Sequence, residues 1–170
     1  MKKFLFILLI LFINKETYSE TMNDINKIYN YYKINEYIGT AGQPKSDEFQ
    51  FIKDNGYSVV INLATYESDN AIPKEEEIVT GLGMTYVHIP VPWNNPDKTH
   101  LVEFIEQMNF YSNQKIFIHC MANYRVSAFI YQYLTQIKGL SKTQSTSPIM
   151  SQWLPNMDQN WKSFININLN

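Results

Sequence analysis

Cys120 is the single cysteine of a 170-residue chain, and its neighbours are of the kinds that hold and attack an oxyanion. It belongs to the run His119, Cys120, Met121, Ala122, Asn123, Tyr124, Arg125. An apolar stretch precedes this run, and a strongly amphipathic one follows it. A strand, a tight loop and a helix in that order form an anion cradle, because the loop's N–H groups converge and the helix start adds positive potential. A thiol at the head of such a loop feels the same field, which lowers thiol pKa values from about 8.5 to about 3.5–7.5. Arg125 offers a planar fork for two oxygens of a bound anion. Met121, Ala122, Asn123 and Tyr124 supply the backbone between. Asn123 sits at the centre of the turn, where a left-handed backbone is expected and Asn tolerates it well. The competing reading of a lone cysteine is a small buried hydrophobe; these neighbours favour the nucleophile.

The elements that must position this loop are legible as alternating strands and helices. Residues 115–119 read as a strand. After the loop, Val126, Phe129, Ile130, Tyr133, Leu134 and Ile137 repeat at helical spacing until Gly139 stops them. Upstream, residues 37–41 read as a short edge strand, and Ser46 as the cap of a helix carrying Phe49 and Ile52 that Gly56 ends. Residues 58–63 form a continuous apolar run, as expected of a strand covered on both faces. Pro73 suits the first turn of a helix whose acidic start, Glu75, Glu76 and Glu77, reads as solvated. Residues 84–91 read as a second core strand. From about Thr99, Leu101, Phe104, Ile105, Met108 and Tyr111 mark another helix. Residues 141–147 read as loop, and Trp153, Trp161, Phe164 and Ile165 as a closing helix packed on the sheet. The fold class is therefore α/β, with a mostly parallel central sheet flanked by helices and right-handed crossovers. Sites in such sheets lie beyond the carboxyl ends of the strands. The Cys120 loop and the 92–97 loop both leave such ends, so they can meet.

Composition sets the outer bounds. The chain is 45% hydrophobic and 15% aromatic with a net charge of −2, which fits one globular domain and gives no reason to expect nucleic acid as partner. Lys2 and Lys3 precede an apolar run over residues 4–13. That run is far short of the ~20 residues that cross a bilayer as a helix, and it reads as a secretory signal, with a tethering N-terminal anchor as the weaker alternative. The expected division is a signal peptide over 1–19 and a single domain over 20–170, periplasmic or secreted, with no stable membrane partner and acting as a monomer. His88 reads as structural and His100 as part of a solvated helix start. Three scattered histidines and one cysteine make no zinc site, and no cofactor is expected. Tyr29, Tyr31 and Tyr32 read as packing residues.

At these residues the sequence resembles a known family. His119, Cys120 and Ala122, followed by a turn, Arg125 and Ser127, resemble the signature loop of the cysteine-dependent protein tyrosine and dual-specificity phosphatases. The stretches Thr40-Ala41-Gly42-Gln43-Pro44, Gly56-Tyr57, Val60-Ile61-Asn62-Leu63 and His88-Ile89-Pro90-Val91 are similar to the bacterial branch that includes beta-lactamase-hydrolase-like phosphatase domains. The resemblance runs from about residue 37 to 138. It implies that Cys120 attacks phosphorus to give a thiophosphate, that Arg125 binds the equatorial oxygens, that His119 tunes the thiol, and that Ser127 helps the thiolate leave. It also implies a general acid. Asp97, in a loop that opens with Trp93 and resembles the family's Trp-Pro-Asp loop, is the candidate, although it can equally cap the next helix; Glu67 and Asp69 are the fallback acids. The implied substrate is a phosphorylated protein or a small phosphomonoester.

One departure keeps alternatives open. The family's loop has five residues between Cys and Arg, and this one has four. Dropping one removes an N–H donor and up to ~3.5 Å of chain reach. Counted from Cys120, Ser127 then falls at the family's Ser position and Val126 at its Arg position. Four is also the spacing of rhodanese-type sulfurtransferases, which would make Cys120 the carrier of a persulfide. A non-catalytic phosphate-binding module is the third reading.

Overall fold

The computed structural model describes residues 24–169; the signal peptide expected over 1–19 lies outside them. A five-stranded sheet in the order β1-β2-β5-β3-β4 forms its centre. The edge strand β1 (Tyr32–Lys33) runs antiparallel to β2 (Ile38–Ala41), and β2, β5 (Ile116–His119), β3 (Val59–Asn62) and β4 (Thr85–His88) are parallel. The helices are α1 (Glu48–Asp54), α2 (Glu75–Gly81), α3 (Lys98–Phe110), α4 (Tyr124–Gln132), α5 (Lys142–Ser145), α6 (Pro148–Trp153) and α7 (Gln159–Phe164). A π-helical turn over Tyr133–Ile137 extends α4. Among the described residues no helix is long and apolar enough to cross a membrane.

β3 and β5 are buried along their whole length, so neither needs a polar face. Successive side chains still point to opposite faces, and each face has its own core. Val59, Ile61, Ile116 and Ile118 pack with Leu101 and Phe104 of α3, Val126 and Phe129 of α4, and the C-terminal Trp161 and Phe164. Val60 and Phe117 pack on the other side with Phe49 and Ile52 of α1 and Val79 of α2. A fully buried side chain of this kind contributes roughly 1.5–3 kcal/mol. The same parity sends His119 to the α1 side, where its ring meets Phe49 edge-on at 6.0 Å. The register aligns Ala41, His119, Asn62 and His88 in one row across four parallel strands. Cys120 follows directly on that row, at the carboxyl end of the central strand.

Several expectations change. Residues 38–41 are an interior strand, because Tyr32 and Lys33 pair outside them. β4, expected in the core, is the outer strand and only partly buried. Asp47, not Ser46, precedes α1, and its side chain makes no capping bond. Pro73 stands outside α2, whose cap is Lys74 with a left-handed φ of 60°. Residues 142–145 form a short capped helix within the stretch expected as loop. Trp153 and Trp161 belong to two short helices, α6 and α7: after Trp153 the chain tightens into a 3-10 turn over Leu154–Asn156, where Pro155 has no N–H for the α-helical ladder. The start of α2 is only partly solvated: Glu75 is 5% exposed.

Candidate active site

The loop that follows β5 is held from three directions. Leu63 N–H donates to His119 C=O at 2.8 Å, and Cys120 N–H to Ala41 C=O at 3.4 Å, which fixes the strand end on both sides. Met121 C=O accepts from Gln43 N–H at 3.1 Å and from the Asn70 side-chain amide at 3.2 Å. Ala122 C=O accepts from Asn30 Nδ2 at 3.0 Å. The N–H and C=O of a trans peptide point in opposite directions. Pinning these two carbonyls therefore turns the N–H groups of Ala122 and Asn123 away from those partners. Gly42 makes the close approach possible, since a Cβ there would lie 2.6 Å from the Tyr29 ring and 3.1 Å from Met121 O.

Asn123 takes the left-handed conformation expected of it, with φ of 68°. It occupies the cap position of α4 without capping it. Its Nδ2 donates instead to Asn30 C=O at 2.8 Å and to Thr40 Oγ1 at 3.1 Å. The first turn of a helix has N–H groups with no intrahelical partner, and no side-chain cap competes for them here. Asn30, itself left-handed at φ 52°, thus both donates to the loop and accepts from it. Nothing in the sequence pattern marked it.

Cys120 is 1% exposed and opens on a cleft of about 370 Å³ lined by Trp93, Met121, Ala122, Tyr124 and Arg125. Arg125 is the one charged residue of this lining. Its guanidinium carbon lies 5.7 Å from the Trp93 ring centre, and its buried Nε has no hydrogen-bond partner. An unpaired buried donor beside a thiol suits an oxyanion. Trp93 reaches the cleft from the loop after β4, as the topology allows, and is backed by Trp153 at 5.6 Å and Trp161 at 5.2 Å. Tyr124 packs at a tilt against the same Trp153 at 5.2 Å. The mouth is therefore aromatic.

Two sequence-predicted side chains are engaged elsewhere. Asp97 is the N-cap of α3: its Oδ1 accepts from His100 N–H at 3.1 Å, and His100 Nδ1 accepts from Asp97 N–H at 3.3 Å. The His100 N–H bond holds its carboxyl below the usual carboxylate range, and Asp97 is not among the residues lining the cleft. Neither Glu67 nor Asp69 lines it; both are exposed. Ser127 Oγ lies 3.4 Å from Ser147 Oγ, and among the described residues no hydrogen bond joins it to Cys120. His88 is structural, its Nε2 lying 2.7 Å from Ala64 O.

Behind the loop lies a polar network centred on Glu75. Its Oε1 accepts from Asn62 Nδ2 at 2.9 Å and from the Tyr86 hydroxyl at 2.9 Å, and its Oε2 accepts from Gln43 Nε2. His119 Nε2 lies 3.0 Å from Oε1, within ion-pair distance but without hydrogen-bond alignment. His119 is fully buried.

A family model described as DSP-PTPase phosphatase fused to NAD+ kinase matches residues 20–163. A DUF442 protein from Shewanella putrefaciens CN-32 is similar at 32% identity, with 83% of this chain and 91% of that chain covered and a TM-score of 0.75. Two further structures share the fold. The core catalytic domain of a PP-IP phosphatase from S. cerevisiae has 18% identity, coverage of 82% and 85%, and a TM-score of 0.66. TpbA from P. aeruginosa, solved with pTyr, has 12% identity, coverage of 84% and 85%, and a TM-score of 0.64. No curated protein matches the chain.

Proposed function

Because the chain belongs to the DSP-PTPase phosphatases, the cysteine-dependent dual-specificity and tyrosine phosphatases, we propose that Cys120 is its nucleophile and Arg125 its phosphate clamp. The chain is a phosphatase of the tyrosine phosphatase-like type, acting on phosphomonoesters. In the proposed reaction the Cys120 thiolate attacks phosphorus, an S–P bond forms as the P–O bond to the leaving group breaks, and water then hydrolyses the thiophosphate. Arg125 and the N–H groups of Met121, Ala122, Asn123 and Tyr124 carry the charge of the transferring oxygens. The observation that carries this reading is that Cys120 and Arg125, whose buried Nε is unpaired, share one cleft at the uncapped start of α4. His119 supports the thiol from behind, and Ser127 acts on it only if its contact with Ser147 is exchanged.

The cleft lining holds no carboxyl group and one cation. That lining favours a single phosphoryl group on an aromatic or apolar leaving group that departs without strong acid assistance. Asp97 can act as the acid only by giving up the α3 cap. A sulfurtransferase draws on loop length alone and a non-catalytic binder on the missing acid; neither finds support in the family match. The test is hydrolysis of para-nitrophenyl phosphate by the full chain, blocked by vanadate and abolished in Cys120→Ala. A vanadate-insensitive rate, or one that survives Cys120→Ala, contradicts the assignment of the nucleophile.

Export to the periplasm or medium and a monomeric state belong to the same proposal. The supports for export are Lys2, Lys3, the apolar run over 4–13, and a family match that starts at residue 20. N-terminal sequencing of secreted or periplasmic protein should find a start near residue 20; a cytoplasmic chain that keeps its first residues contradicts export.

A further inference from the structure

We propose that Glu75 is a positioning residue for the nucleophile: through His119 it fixes the strand end that carries Cys120 and balances the charge beneath the loop. This inference rests on Cys120 as nucleophile and adds a residue that neither the loop motif nor the cleft contains.

Glu75 lies 45 positions before Cys120 in the chain, and it enters the interior from the first turn of a seven-residue helix. A helix start ordinarily leaves a carboxylate in solvent, as Glu76 and Glu77 are. Glu75 is instead 5% exposed and collects groups from every parallel strand that ends at the site. Gln43 comes from the turn after β2, Asn62 from β3, Tyr86 from β4 and His119 from β5. Three of these are uncharged donors. Burying a carboxylate with no opposite charge is costly. Among the described residues, His119 is the only side chain within ion-pair distance of it that can carry one. Burial, the largest single influence, pushes the Glu75 carboxyl up, but His119 and the donors from Gln43 and Tyr86 together outweigh it and hold the group below its ordinary value.

His119 has no other polar side-chain partner: Nδ1 is buried and unpaired, and the ring is otherwise packed against Phe49 and Phe117. Glu75 therefore decides where the ring sits and what charge faces the backbone immediately before Cys120. Asn62 couples the same network to the neighbouring loop, because its Oδ1 accepts from Ala64 N–H at 2.7 Å. The titratable groups in contact with Glu75 are Tyr86 and His119, on β4 and β5, while Tyr66, Lys74, Glu76 and His88 line the same cleft as Glu75; α1 and β3 contribute Phe49 and the neutral Asn62.

Cys120 is the chain's only cysteine, so alkylation of the full chain by iodoacetamide, read by intact mass across pH, reports this thiol alone. In Glu75→Gln the midpoint of the alkylation profile should move to higher pH by about one unit, and kcat should fall by about 10²-fold with KM little changed. Glu75→Asp, which keeps the charge, should recover part of both. A folded Glu75→Gln chain with the wild-type alkylation profile overturns the proposal. Should that variant not fold, Tyr86→Phe removes one donor to the carboxylate and leaves the ring in place. The carboxylate then loses one of the donors that hold it in place against the His119 ring, so the midpoint should move from its wild-type value; an unmoved midpoint overturns the proposal as well. The phosphatase reading stands or falls separately, on whether the wild-type chain hydrolyses para-nitrophenyl phosphate.

Discussion

The start of α2 and the start of α3 each place a carboxylate beside a histidine, and the two pairs do different work. Asp97 caps α3 at the surface with its side chain 43% exposed, and its partner His100 is three residues away on the same helix. Glu75 lies in the interior, and its partner His119 belongs to the central strand. Both carboxyls are held below their ordinary range, but for different reasons. For Asp97 the leading cause is the local His100 N–H bond. For Glu75 the leading influence, burial, acts the other way and is overcome by contacts from three other elements. A carboxylate held ionised by its own helix stabilises that helix. One held ionised by several strands transmits their positions to the residue they converge on, here the one before Cys120.

Breaking the two pairs should separate these roles. The largest contrast is kinetic: Glu75→Gln should lower kcat for an aryl phosphate by about 10²-fold. Asp97→Asn should stay within about threefold of wild type, the scale of ordinary surface changes. Steady-state rates on both variants decide it, and a reversal of the order would restore Asp97 as the acid. Next in size is leaving-group dependence. With no carboxyl in the cleft lining, rates on a series of phosphate monoesters should fall steeply as the leaving group becomes more basic. Asp97→Asn should leave that slope unchanged. A slope that steepens in the variant would mean that Asp97 leaves its cap to donate a proton.

Stability against pH sharpens the contrast further. A carboxyl whose folded pKa is depressed adds stability above its ordinary value, 4.5 for Glu75, and loses it as pH falls through the lower folded value. The urea-midpoint difference between wild type and Glu75→Gln should therefore be largest near neutrality and shrink below about pH 4. Asp97 has the same sign, but solvent screens an exposed pair. The smallest expected effect is at the cap itself. Asp97→Ala should cost about 1 kcal/mol and Asp97→Asn almost nothing, because Asn caps as well as Asp; thermal unfolding of the two variants checks this.

Much of the site was legible because its elements are local. The Cys120 loop, the helix after it and the left-handed Asn123 follow from a contiguous run whose neighbours state the geometry. Family membership was likewise carried by short stretches around that loop and the parallel strands. What escaped was non-local. Asn30 is one asparagine in a Tyr-rich segment, and it matters only because β1 folds back beside β2 and brings it to Ala122 and Asn123. Glu75 belongs to an acidic run that suits a solvated helix start. Its burial depends on strand order, which puts β3 between β4 and β5 and brings α2 across the ends of both. The period-two alternation of β5 was readable, but it takes the assembled sheet to tell that the His119 face is the one α2 covers. Asp97 was ambiguous for the opposite reason: the same residue before the same helix serves as a cap or as an acid. His100 N–H and the cleft lining make it the cap in this structure.

The measurement that bears most directly on the whole account is a rapid acid quench of the full chain during turnover of a phosphorus-labelled aryl phosphate, followed by mapping of the label. One phosphoryl group should be found on Cys120, absent in Cys120→Ala and lost as water completes the reaction. An unlabelled Cys120 during turnover, or a Cys120 persulfide formed from thiosulfate and passed to cyanide, would contradict it.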